Sequence, residues 1–121
     1  GMLTCPYVFS EEQAREMTAA GADVIVSHMG LTTSGDIGAE TALDLEAAAE
    51  RVQAHHDAAK DVNEDVMVIC HGGPIAWPDD AAYVLENTEG VVGFFGASSI
   101  ERLPTEEAIE NQAREFKELD L

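Results

Sequence analysis

The chain has 121 residues, 45% hydrophobic and 25% charged, which suits one domain, 1–121, with a modest core. Its 24 acidic residues against 6 Lys and Arg leave a formal charge of −18. Nucleic acid and anionic membranes are thereby poor partners, since both are held by Lys and Arg. No apolar run approaches the roughly 20 residues of a membrane span, and no basic-then-apolar leader is present, so a cytoplasmic location is expected. Gly1 reads as a tag-cleavage residue ahead of a start methionine at Met2, which would make the natural protein itself this short. The acid is spread over several segments, and Lys60 and Lys117 are the only lysines; a halophilic host, whose salt screens self-repulsion, is the expectation.

In chain order, Leu3–Phe9 predicts a short strand, and Ser10-Glu-Glu-Gln13 is a capping box opening a helix to about Ala20. Gly21 closes that helix. Ala22–Met29 is the second strand, and its consecutive Val24, Ile25 and Val26 imply burial on both faces, as in a parallel sheet. A polar loop from Gly30 to Gly38 leads into a long helix, roughly Ala39 to Lys60, with Leu43, Ala47, Ala48 and Val52 on its stripe. His55-His56 on that helix reads as surface. Val66–His71 predicts the third strand and Asp79 to about Asn87 the third helix, with Pro78 at its first turn. Val91–Phe95 predicts the fourth strand, and a last helix runs from Thr105 to about Leu119 with Ala108, Ile109 and Phe116 facing inward. Cys5 and Cys70 both fall in predicted strands, outside any CxxC pair, and are expected as buried free thiols.

The order βαβαβαβα predicts a parallel sheet with right-handed crossovers. Four units are half of an eightfold barrel, and an open four-stranded sheet is the other arithmetic solution. Either places the site at the carboxyl ends of the strands. There Val66–His71 runs into Gly72-Gly73-Pro74, and Val91–Phe95 runs into Gly96-Ala97-Ser98-Ser99. Small residues let backbone N–H groups approach an oxyanion, so Gly72, Gly73, Gly96, Ala97, Ser98 and Ser99 are expected to bind phosphate or carboxylate. His28 and His71 each end a strand and are candidate general acids or bases, or else hydrogen-bonded structural histidines. Arg102 is a candidate anion clamp, and Glu101 its orienter or a base. Thr32 and Thr33 are candidate substrate donors. No cofactor is assigned. Two histidines are too few for a metal site, and Asp36 is the nearest acidic residue for a Mg²⁺ ion.

The segments Leu3–Phe9, Ala20–Thr33 with Gly35 and Ile37-Gly38-Ala39, His71–Ala76 and Gly93–Glu106 together resemble the phosphoenolpyruvate-hydrolase-like TIM-barrel family, also labelled TIM-barrel signal transduction proteins. The resemblance spans nearly the whole chain but covers the carboxy-terminal half of the family barrel. It implies a parallel (βα)4 half of a TIM-like barrel. It also implies a small phosphorylated or carboxylated oxoacid as ligand, with hydrolase or lyase chemistry. A regulatory, non-catalytic ligand-binding module and half of a split enzyme are the alternatives. A lone half barrel exposes two sheet edges and an apolar inner face, so a homo-oligomer, or pairing with a separate amino-terminal half, is expected.

Overall fold

The computed structural model describes residues 1–35 and 43–119. Its elements are β1 (Tyr7–Val8), α1 (Glu11–Ala19), β2 (Val24–His28), α2 (Leu45–Lys60), β3 (Met67–His71), α3 (Pro78–Glu86), β4 (Gly93–Phe94), a short α4 (Ser98–Glu101) and α5 (Leu103–Lys117). The four strands form one sheet in the order β1-β2-β3-β4, every pair parallel. Consecutive parallel neighbours joined by crossovers of one hand keep the connecting helices on one face, as in the wall of a barrel. The fold is a parallel (βα)4 half of a TIM-like barrel.

The helices start where local chemistry stops the strands. Ser10 Oγ accepts from the Gln13 N–H at 3.2 Å, while Gln13 Oε1 accepts from the Phe9 N–H at 2.8 Å, one residue further back than in the usual capping box. Asp44 caps α2 through the Ala47 N–H, and the Asp80 carboxylate accepts from both Ala76 and Trp77 N–H at the head of α3. At the opposite end of the sheet, Asp23 Oδ2 accepts from the Thr4 N–H and hydroxyl, both at 2.8 Å, tying the chain before β1 to the start of β2.

Paired residues in a parallel sheet project to the same side, so the register sorts the two faces. Val8, Ile25, Ser27, Val68 and Cys70 point toward the helices and are fully buried there, among Ala14, Ala48, Ala58, Ala59, Val52 and Val84. The opposite face presents Tyr7, Val26 and Ile69 in one row, with His28 and His71 above them toward the carboxyl ends. Tyr7, Phe9, Met67 and Phe95 are exposed on or beside it.

Several expectations change. β1 and β4 are each two residues long, shorter than the expected Leu3–Phe9 and Val91–Phe95; Pro6, just before β1, has no N–H to give a ladder. His55 and His56 are buried, not surface: His55, 2% exposed, lies under β2, where its Nδ1 bonds Ser27 Oγ at 2.8 Å. Cys5 is exposed, and only Cys70 is a buried thiol. Ala108, Ile109 and Phe116 do not face inward; Leu103 is the buried residue of α5, which packs chiefly on α4. The predicted start of the second helix at Ala39, and Ile37 and Gly38, lie outside the described residues.

Candidate functional site

The carboxyl ends of the strands bring five rings together. His28 and His71, side by side in register, have ring centroids 4.7 Å apart at 83°. Tyr7 stacks on His71 at 5.1 Å and 29° and meets His28 edge-on at 4.9 Å. Phe9 lies 4.7 Å from His28, and Phe95 lies 5.4 Å from His71 and 5.8 Å from Tyr7. Tyr7, Phe9 and Phe95 were not among the residues expected at the site. Their signal was the two-residue spacing of Tyr7 and Phe9, which puts both on one face of an extended segment.

The two imidazoles are held in opposite states. His71 Nδ1 lies 2.7 Å from the Phe95 carbonyl oxygen. A carbonyl only accepts, so Nδ1 carries hydrogen, and in the neutral ring Nε2 is the lone-pair nitrogen. For His28 the bond runs the other way: the Gly30 N–H donates to Nδ1 at 3.0 Å. Nδ1 is then the acceptor, and Nε2 carries hydrogen. Burial, and next the proximity of His71, hold the His28 pKa below its ordinary 6.5, which keeps this ring neutral at physiological pH. One nitrogen that accepts and one N–H that donates thus belong to adjoining rings.

The glycine turn behind them is packed backbone. Gly73 adopts φ +59°, and its N–H donates to the Gly30 carbonyl at 2.8 Å. A Cβ on Gly73 would stand 2.4 Å from the Met29 carbonyl oxygen, and one on Gly72 2.4 Å from that of Gly30. Only glycine fits so close an approach of two strand-end loops. Thr33 joins the same turn, donating from its N–H to the Gly73 carbonyl at 3.2 Å, while Thr32 is half-buried alongside. The turn after β4, Gly96 to Ser99, is next to it, because the Phe95 N–H donates to the Cys70 carbonyl at 2.8 Å. Ser98 and Ser99 form the first turn of α4, with Ala97 preceding it.

Arg102 follows α4, and it is the one Lys or Arg of the sequence in a strand-end connection; the other five lie on α1, α2 and α5. Its guanidinium donates to Glu106 Oε1 at 2.8 Å and to the Ser34 carbonyl at 3.0 Å, tying the loop after β2 to the head of α5. Glu101 is exposed, and its carbonyl accepts from the Thr105 hydroxyl. Asp36 lies outside the described residues; among those described, no three His, Cys, Asp or Glu side chains gather as a metal site. Cys70, pushed up to about 11 by burial, is on the helix side and away from this chemistry.

The whole chain is 54% identical, over 121 residues, to two proteins of Solanum lycopersicum: the ToMV susceptible protein tm-1(GCR26) and the ToMV resistance protein Tm-1(GCR237). It covers 16% of each, so the chain spans about a sixth of the length of these relatives. Among solved structures, that of the FabK (M276A) mutant from Thermotoga maritima is similar over 78% of this chain and 27% of that one, with 25% identity and a TM-score of 0.46. The model of the phosphoenolpyruvate hydrolase-like family matches residues 1–119, and the chain belongs to that family.

Proposed function

We propose that the strand-end cluster binds a small phosphorylated or carboxylated oxoacid, with His28 and His71 as its polar contacts. The observation that carries this is the pair of neighbouring imidazoles, one presenting N–H and the other a lone pair, at the carboxyl ends of parallel strands. The turns at Gly72-Gly73 and at Gly96, Ala97, Ser98 and Ser99 border the ligand, and Thr32, Thr33, Glu101 and Arg102 complete its surroundings. Hydrolase or lyase chemistry, as the family's name implies, is the enzymatic form of this reading. Thermal unfolding in high salt tests it, with phosphate, pyruvate and phosphoenolpyruvate as separate additions. A ligand at 100 times its Kd adds about 2.7 kcal/mol, enough to raise Tm by several degrees; no shift with any of the three would remove the proposal.

A non-catalytic regulatory module is the second reading. It is supported by the tomato relatives, which are named for a response to a virus and not for a reaction. Ligand-induced stabilisation without turnover of phosphoenolpyruvate would favour it.

A further inference from the structure

The opposed tautomers suit one kind of step better than others. We propose that the site moves a proton at the carbon next to the carbonyl of a 2-oxoacid, with His71 as the base and His28 as the neutral electrophile. The inference rests on the oxoacid reading above and assigns each ring a separate task.

The assignments follow from the backbone partners. His71 has committed its Nδ1–H to the Phe95 carbonyl, so its open nitrogen is Nε2 with a lone pair. Protonation at Nε2 leaves the Nδ1–H bond in place and gives that bond a charged donor, which strengthens it. His71 therefore accepts a proton without losing its anchor. His28 is the reverse case. Its Nδ1 lone pair is occupied by the Gly30 N–H, so protonating that nitrogen breaks the bond, and burial opposes the charge as well. What His28 offers is an Nε2–H that the neutral ring keeps and can donate. A neutral imidazole is a better-matched donor to an enolate than an imidazolium that would surrender its proton.

In the step, the α C–H bond breaks and its proton goes to His71 Nε2. The C–H electron pair becomes the carbon–carbon π bond, and the carbonyl π pair moves onto oxygen. His28 Nε2–H hydrogen-bonds that oxygen and keeps its proton. Return of the proton from His71 to carbon restores ketone and neutral imidazole, so no oxidant or second reactant is consumed. Tyr7, stacked on His71, is a positioning residue, since it fixes the ring plane in which the Nε2 lone pair points and in which the α C–H must lie.

Two measurements on the full chain test this, in high salt with pyruvate as the probe. A long-range proton–nitrogen spectrum is expected to show His28 as the Nε2–H tautomer and His71 as the Nδ1–H tautomer; the reverse assignment overturns the roles. In D2O, loss of the pyruvate methyl proton signal is expected to exceed the buffer rate by about 100-fold or more, the low end of positioned acid–base catalysis. His71→Gln should abolish the excess, and Tyr7→Leu should reduce it while Tyr7→Phe retains it. Imidazole signals that shift with pyruvate while no exchange occurs overturn the proton-transfer inference and leave the binding reading standing. No shift and no exchange remove both.

Discussion

Gly73 is the residue at which the geometry leaves least choice. With φ +59° and the Met29 carbonyl oxygen 2.4 Å from where a Cβ would stand, Gly73→Ala meets both backbone strain and a contact that must be relieved by moving main chain. The expected loss is about 1–3 kcal/mol in a denaturant titration; an unchanged midpoint would mean that the two strand-end loops separate freely. Arg102 supports the neighbouring loop by different means. Its bonds to Ser34 and Glu106 are partly buried, so Arg102→Met should cost about 1 kcal/mol of stability, less than the 1.5–3 of a fully buried charged bond. If Arg102 clamps the ligand as well, the variant also weakens pyruvate binding beyond what its stability loss explains, which titration below the unfolding transition separates. The glycines were legible in the sequence, because a strand running into Gly-Gly-Pro leaves little but a turn. The histidine tautomers were not. They depend on the carbonyl of Phe95, 24 residues from His71, and on the amide of Gly30, two residues from His28; both are backbone groups, which leave no mark in residue type.

Among the elements, α2 and β2 carry the pH dependence, through His55 and His28. His55, buried beneath β2, has its pKa held down by burial first and by Arg51 next, with Glu11 pulling the other way; His28 is shifted in the same direction. A histidine whose folded pKa is lowered takes up its proton more readily in the unfolded chain. Its stabilisation is therefore complete above the ordinary 6.5 and is lost as pH falls from there through the folded-state value. Tm should decline between about pH 7 and pH 5 at constant salt, and His55→Gln, which keeps a partner for Ser27, should flatten part of that decline. A profile flat over the whole range would show that neither ring is held neutral. The strand and helix order was readable from consecutive apolar runs and capping residues. The burial of His55 and His56 was not, because a polar side chain signals exposure by type, whereas here both rings fall between Val52 and Ala59 on one buried stripe. In α5 the stripe of Ala108, Ile109 and Phe116 is periodic but covered by nothing among the described residues: periodicity reports a buried-type face, not what buries it.

For the whole molecule, charge and exposed apolar surface pull against each other. At −18 the chain repels itself, yet Tyr7, Phe9, Met67 and Phe95 on the inner face, and Phe116 at 68% exposure on α5, stand open to water. We propose that a second four-stranded unit, most simply a second copy, covers them by pairing β4 with β1 at both seams. Sedimentation in molar salt should find a dimer, and Phe116→Glu should shift it toward monomer; a folded monomer that stays single at all salt concentrations would remove the idea. Stability itself should rise with added KCl as the repulsion is screened, which melting curves at graded salt would measure.

The contrast between the two cysteines makes that question accessible. Cys70 is sealed under the helices with a thiol pushed up to about 11, so it is chemically silent at neutral pH, whereas Cys5 is exposed two residues before the open edge strand. A thiol-reactive dye added to the native protein will label one position without any engineered substitution. The unaltered molecule thus supplies its own fluorescent sensor of whether the seam beside Tyr7 is open or shut.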